Sequence, residues 1–309
     1  MKIVFMGTPQ FSVPILESLI SHHQVLLVVT QPDKKAGRKK VMTQSPVKIA
    51  AIKNQLPLFQ PEKLRIDYQM VLDSKPDFII TAAYGQMLPS ALLNEIEAIN
   101  VHGSLLPNYR GGAPIQYALF DGLKETGITI MYMAYQMDSG DIIKQKKLTI
   151  SKDDHYLSLS SKLSILGSHL LQEVLNDIEQ GHLIRKPQDH SMATFAYTLK
   201  RTDEFLSFNQ PTDKVINRIR GLAPKPGAHA YLKNNLIKFY RAINSDIIDS
   251  EAIPGTILEN KNRLIISTTD GAVEILEIQT PGKKQMAVKD FLNGQTIIKK
   301  GDVFIEGNE

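Results

Sequence analysis

The sequence predicts an α/β fold: a mostly parallel sheet in the N-terminal part, joined to a small β-rich C-terminal domain. Three observations carry this. Short, continuous apolar runs alternate with helical stretches through the first half, the pattern of strands buried by helices on both faces. One long amphipathic stretch then separates the two halves. From about Phe205 the texture changes to many short β-rich runs punctuated by turn residues, which suits a small barrel or sandwich, a five-stranded oligonucleotide-binding barrel among them.

Taken in order, KIVFMG at Lys2–Gly7 and QVLLVVT at Gln24–Thr30 are the first two strands. FSVPILESLIS between them has helical spacing, with Ser12 predicted as N-cap and Pro14 in the first turn. Asp77–Ala82 and Ile99–His102 are two further buried strands, and helices are expected at Pro46–Asn54 and Asp67–Ser74. The long helix runs from about Asp154 to Gln180. Leu159, Leu163, Leu166, Leu170, Val174 and Ile178 fall at steps of three or four, and Gly181 suits its C-terminal cap. In the last third, AHAYL, LIKFYRA, GTILE, RLIISTT and VEILEIQ read as strands. The turns fall at Asn234-Asn235, Asn260–Asn262 and Asp270-Gly271. With 309 residues, about two domains are expected. The divisions are residues 1–189, a polar linker over 190–206, and 207–309.

Composition removes several chemistries. There is no cysteine, so disulfides, thiolate nucleophiles and thiolate zinc sites are excluded together. The eight histidines show no His-Glu-x-x-His or similar spacing, so no metal is expected. The first strand ends in GTPQF, not Gly-x-Gly-x-x-Gly, and a dinucleotide site of the usual kind is not supported. No apolar run approaches the roughly 20 residues of a membrane span, and MKIVFMGTPQ does not read as a signal peptide. A cytoplasmic protein without membrane contact is expected. The net charge is only +4, but Lys34, Lys35, Arg38, Lys39 and Lys40 crowd one short loop. Further cations recur at Arg218, Arg220, Lys225, Lys238, Arg241, Lys283, Lys284 and Lys289. Such a distribution is either plain solvation or the footprint of a polyanion.

One stretch, NVHGSLLPNYRGGAP at Asn100–Pro114, stands apart. Asn100 and His102 lie two residues apart at a strand's C-terminal end. There they share a face, and ligands of open α/β sheets bind at that edge. An amide NH2 suits a developing oxyanion, and an imidazole moves protons near neutral pH. The pair fits nucleophilic addition to a carbonyl. Asp138 and Asp141 in MDSGD are the candidates for the carboxylate that would accompany the imidazole. No Gly-x-Ser-x-Gly elbow is present, which makes Ser104 a poor nucleophile.

NVHGSLLPNYRGGAPIQYAL, TGITIMYM and MDSGDII together closely resemble the 10-formyltetrahydrofolate-dependent formyltransferases. MGTPQFSVPILESL, QPDKKAGRKKVMTQSPVK, AAYGQMLP, GLAPKPGAHAYL and TPGKKQMAVKDFLNG extend the resemblance over nearly the whole chain. It implies a Rossmann-like catalytic domain, a C-terminal barrel of the oligonucleotide-binding type that contacts tRNA, and a catalytic triad of Asn100, His102 and Asp138. The implied co-substrate is 10-formyltetrahydrofolate, lying beside Gln86, Met87 and Leu88 and against Ser104, Leu105, Leu106, Pro107 and Asp141. The implied acceptor is the α-amino group of methionyl-initiator tRNA. Lys34, Lys35, Arg38, Lys39 and Lys40 are the implied tRNA-contacting insertion, and a monomer is expected. Two rivals are a formyltransferase for a nucleotide-linked amino sugar or other small amine, and a non-catalytic RNA-binding protein. The basic loop and second domain weigh against the first, and the triad against the second.

Overall fold

A computed structural model describes residues 1–36, 41–294 and 297–306. The chain begins with β1 (Lys2–Gly7), α1 (Val13–His22), β2 (Gln24–Val29), β3 (Lys34–Ala36), β4 (Val41–Thr43) and α2 (Pro46–Lys53). Next come β5 (Leu58–Phe59), α3 (Gln69–Asp73), β6 (Phe78–Ala82), α4 (Ser90–Glu95), β7 (Ala98–His102) and α5 (Pro114–Phe120). β8 (Glu125–Tyr132), β9 (Ile142–Thr149) and α6 (Tyr156–Glu179) follow. Two compact units result: residues 1–114, 125–149 and 160–197, then residues 115–124, 150–159 and 198–309. Among the described residues no helix is long and apolar enough to cross a membrane.

The first unit is built on seven strands ordered β5-β2-β1-β6-β7-β8-β9. β5 through β7 run parallel, whereas β8 and β9 are antiparallel. The order departs from β1 in both directions, so the switch point lies between β1 and β6, where a ligand crevice is expected. Val4 and Met6 of β1 pack with Leu27, Val29 and Ile79 on one face, as continuous apolar strands dictate. Ser12 precedes α1 but its side chain does not cap it. The hydroxyl donates instead to Ala82 O at 2.6 Å, tying the helix start to the end of β6.

Helix α6 buries Leu159, Leu163, Leu170 and Val174 as the spacing predicts, while Leu166 and Ile178 stay partly exposed. Leu171 and Leu175 are buried as well, and small residues complete the face: Ser160, Ser164, Gly167 and Ser168. A Cβ on Gly167 would stand 2.9 Å from Val101 Cγ1, so the helix lies close over β7 only because that Cβ is absent. The helix closes with Gly181 N–H donating to Ile178 O and His182 N–H to Asp177 O, both at 2.9 Å, a Schellman motif. Val101 thus marks the helix-covered face of β7, and Asn100 and His102 belong to the opposite one.

The second unit holds α7 (Thr212–Leu222), β10 (Ala228–Leu232), β11 (Asn235–Asn244), β12 (Ile257–Glu259), β13 (Leu264–Ser267), β14 (Ala272–Gln279), β15 (Met286–Ala287) and α8 (Val288–Leu292). Its antiparallel sheet runs β10-β11-β14-β13-β12, with β15 on β14. The two outer strands are joined through one segment: Val303 bridges Thr256 beside β12, and Ile305 bridges Tyr231 on β10. That closure curls the sheet into a barrel. Inside, Phe239 is fully buried and meets Phe208 and Phe304 edge-on, at centroid distances of 5.6 and 5.3 Å. The β10–β11 turn centres one residue earlier than the sequence suggests. Lys233 and Asn234 both take positive φ, 48° and 65°, as a two-residue hairpin of the primed kind requires.

Candidate active site

The row that carries the site follows from register. Met6, Thr81, Asn100 and Met131 are neighbours across β1, β6, β7 and β8. Thr81 is therefore beside Asn100, and its hydroxyl donates to Asn100 Oδ1 at 2.7 Å. With the oxygen engaged, the NH2 group of Asn100 is turned away from Thr81 and donates toward Asp138 Oδ1 at 3.5 Å.

His102, two residues on, is 5% exposed. Its Nε2 lies 2.9 Å from Tyr109 O, and a carbonyl only accepts, so Nε2 carries a hydrogen. The other ring nitrogen, Nδ1, faces Asp138 Oδ2 at 3.7 Å. That carboxylate oxygen also accepts the Gly111 N–H at 2.8 Å. One aspartate thus faces an amide, an imidazole and a backbone donor. Of the two aspartates in MDSGD, it is Asp138 that meets the histidine, while Asp141 returns its carbonyl to Tyr132 N.

Asp138 sits between β8 and β9 with φ +48°, the left-handed region that costs a residue with a Cβ strain energy. The turn folds tightly onto β8, since a Cβ on Gly140 would come within 2.0 Å of Tyr132 O. Gln188, 6% exposed, donates to Asp138 O at 2.9 Å and Gly140 O at 2.7 Å. Sequence reading missed both Gln188 and Thr81: each is a lone polar residue with no spacing signal.

The loop after His102 is stitched to the sheet. Thr129, opposite His102 on β8, donates to Ser104 O at 2.7 Å and accepts Leu106 N–H at 3.0 Å. Ser104 is fully buried and donates to Asn108 O. Leu106 packs with Met131 and Ile142, and Leu105 lies over Gly127. The Leu106–Pro107 peptide is cis. On the neighbouring loop, Leu88 is buried, Met87 is 58% exposed, and Gln86 accepts Leu64 N–H at 2.8 Å while donating to Pro61 O. At Leu88, Ser104 and Leu106 the side chains are turned inward, and Leu106 O accepts in addition from Gln145 Nε2 at 2.8 Å. Tyr84, just before, has a buried hydroxyl without a hydrogen bond among the described residues, and burial pushes it up to about 12.

Lys34 and Lys35 are exposed on the β3–β4 hairpin, and Lys34 Nζ donates to Gln31 Oε1 at 2.7 Å. Arg38, Lys39 and Lys40 lie outside the described residues. In the second unit three of the noted cations are structural. Arg218 covers the Phe120 ring at 4.2 Å, Arg220 donates to Ser151 O and Lys238 Nζ donates to Pro226 O at 2.7 Å, whereas Lys225, Arg241, Lys283, Lys284 and Lys289 are exposed. No group of three or more His, Asp or Glu that would hold a metal occurs among the described residues.

An amide donor, an imidazole and a carboxylate at the carboxyl edge of a sheet are the equipment of a group-transfer enzyme acting at a carbonyl. The chain belongs to the formyl transferase family: the family's main domain matches residues 1–175 and its C-terminal domain residues 198–296. A methionyl-tRNA formyltransferase of Staphylococcus epidermidis is 47% identical over 299 residues, covering 95% of this chain and 96% of the relative. HypX from Aquifex aeolicus, solved with tetrahydrofolic acid, superposes with TM-score 0.66 at 17% identity over 98% of this chain and 50% of its own. A methionyl-tRNA formyltransferase from Clostridium thermocellum gives TM-score 0.56 at 17% identity, over 82% of this chain and all of that one. At that identity the two structures speak for the fold alone.

Proposed function

We propose that this formyltransferase moves the formyl group of 10-formyltetrahydrofolate to the α-amino group of methionyl-initiator tRNA in the cytoplasm, acting as a monomer. The convergence of Asn100, His102 and Asp138 on one point carries the reading. Full-length identity of 47% to a relative of that name supports the choice of acceptor.

The amine attacks the formyl carbon, and the carbonyl oxygen becomes an oxyanion. The Asn100 NH2, oriented by Thr81, donates to it. Asp138 takes the proton that the attacking ammonium sheds, with Nδ1 of His102 facing the same carboxylate at 3.7 Å. The same proton passes to N10 as the carbon–nitrogen bond breaks, so tetrahydrofolate leaves neutral at that nitrogen. The folate lies along 86–88 and 104–107 with Asp141, on a loop held in shape by the Thr129 bonds to Ser104 and Leu106. Lys34, Lys35, Arg38, Lys39 and Lys40 contact tRNA phosphates, which makes binding salt-dependent.

The test is a competition between acceptors. Protein and 10-formyltetrahydrofolate are mixed with methionyl-initiator tRNA and a nucleotide-linked amino sugar at equal concentration. Formylated tRNA is the expected product; formylation of the sugar alone would overturn the acceptor assignment.

A further inference from the structure

We propose that Gln188 is a positioning residue for the Asp138 carboxylate, held in its working orientation by the buried guanidinium of Arg110. The inference rests on the reading of Asp138 given above.

Arg110 is 5% exposed, and its contacts are neutral acceptors: Gln188 Oε1 from Nε at 3.2 Å and Nη2 at 2.6 Å, and His190 Nδ1 from Nη2 at 3.0 Å. A guanidinium has no acceptor. That fixes which end of the Gln188 amide is which: the oxygen must face Arg110, and the NH2 must face Asp138 O and Gly140 O. Both hydrogens and both oxygen lone pairs of the amide are then used. The geometry also grips Asp138 from two sides through one short stretch of chain. The Arg110 side chain reaches the Asp138 carbonyl by way of Gln188, and the next residue's N–H, at Gly111, holds its carboxylate at 2.8 Å. Arg110 itself is pinned, its N–H donating to Thr194 O at 2.8 Å and its carbonyl accepting Ala196 N–H at 2.7 Å.

Asp138 needs such support. At φ +48° its backbone is in a region that an L-residue holds only when its surroundings over-determine it. Releasing its carbonyl lets the turn relax and swings the carboxylate away from Nδ1 of His102 and the amide of Asn100. A shift of about 1 Å at a catalytic group costs on the order of 100-fold in rate. A glutamine serving only the fold would instead lower stability and leave the intrinsic rate of the folded fraction unchanged.

A double-mutant cycle separates the two. Gln188→Met, Asp138→Ala and the pair are compared by kcat, by KM for each substrate, and by thermal midpoint. The expected result is a kcat about 10- to 100-fold lower in Gln188→Met, with both KM values within about threefold of wild type. In the Asp138→Ala background the substitution has no further effect on kcat, because there is no carboxylate left to position. Equal losses in both backgrounds, or an unchanged kcat in folded Gln188→Met, would overturn the proposal. Should Gln188→Met give no cooperative melt, Gln188→Glu takes its place: it keeps an acceptor toward Arg110 and puts a carboxylate oxygen, which cannot donate, in place of the NH2 facing Asp138 O and Gly140 O, so the Asp138 carbonyl is released and the same expectations hold. A wild-type protein that formylates no methionyl-tRNA counts against the acceptor reading instead, and the same cycle is then read on release of tetrahydrofolate.

Discussion

Replacing Asn100 by alanine removes the proposed oxyanion donor. Thr81 and Asn100 are register neighbours on β6 and β7, and the 2.7 Å bond to Oδ1 aims the NH2 group. Removing the amide takes away this bond and the 3.5 Å donation to Asp138 Oδ1, leaving the Thr81 hydroxyl with Ile99 O at 3.4 Å as its remaining oxygen partner, a cost of about 0.5–1.5 kcal/mol per hydrogen bond. The loss in catalysis is larger. A preorganised oxyanion donor contributes about 2.7–4 kcal/mol in the transition state, which is a kcat lower by roughly 100- to 1000-fold. The assay is steady-state formylation of methionyl-tRNA, varying each substrate in turn, with a thermal melt of the same preparation. Both KM values should stay within about threefold, since the interaction forms fully only in the transition state. A kcat reduced by less than about tenfold, or a loss confined to KM, would refute the assigned role.

Other perturbations have equally definite outcomes. Asp138→Asn keeps an acceptor for Gly111 N–H but loses the charge facing His102, and kcat should fall about 100-fold or more in the same assay. Gly140→Ala puts a Cβ 2.0 Å from Tyr132 O, a backbone atom that cannot step aside. The turn must move, and kcat should drop about 10- to 100-fold with intact folate binding by equilibrium titration. Phe239→Ala empties the centre of the barrel and should cost about 3–5 kcal/mol in urea unfolding. Burial lowers His23 and His229 below the ordinary 6.5, outweighing the pull of Glu179 and Glu204. The unfolded chain binds those protons first, so stability holds above about pH 6.5 and declines as pH falls through it. Thermal midpoints between about pH 7.5 and 5.5 should show that slope, and His229→Gln should flatten it.

What could be read from the sequence is what local periodicity encodes. Asn100 and His102 share a face because strand side chains alternate, and β1, β2, β6 and β7 are mostly apolar because helices pack on them. β9 escaped notice because its middle, KQKK, is exposed and carries no apolar period. α7 was passed over as its short apolar pattern lay among β-rich runs. The predicted cap at Ser12 fails because its hydroxyl finds a tertiary partner, Ala82 O, that no local pattern encodes. The same holds for the site. Thr81 matters only through the register of β6 on β7, and Gln188 only through a turn 50 positions away. The hydrogen on Nε2 of His102 is fixed by the carbonyl of Tyr109, which depends on the path of the loop. Such roles belong to the assembled fold.

The most direct test follows the carbon that moves. Protein is incubated with methionyl-initiator tRNA and 10-formyltetrahydrofolate labelled in the formyl group, the aminoacyl ester is hydrolysed, and labelled products are counted against tetrahydrofolate released. Formyl transfer to the α-amine gives labelled N-formylmethionine in equal amount to tetrahydrofolate, and the Asn100→Ala protein gives little of either. Label recovered as free formate, or methionine left unformylated while folate is consumed, would contradict it.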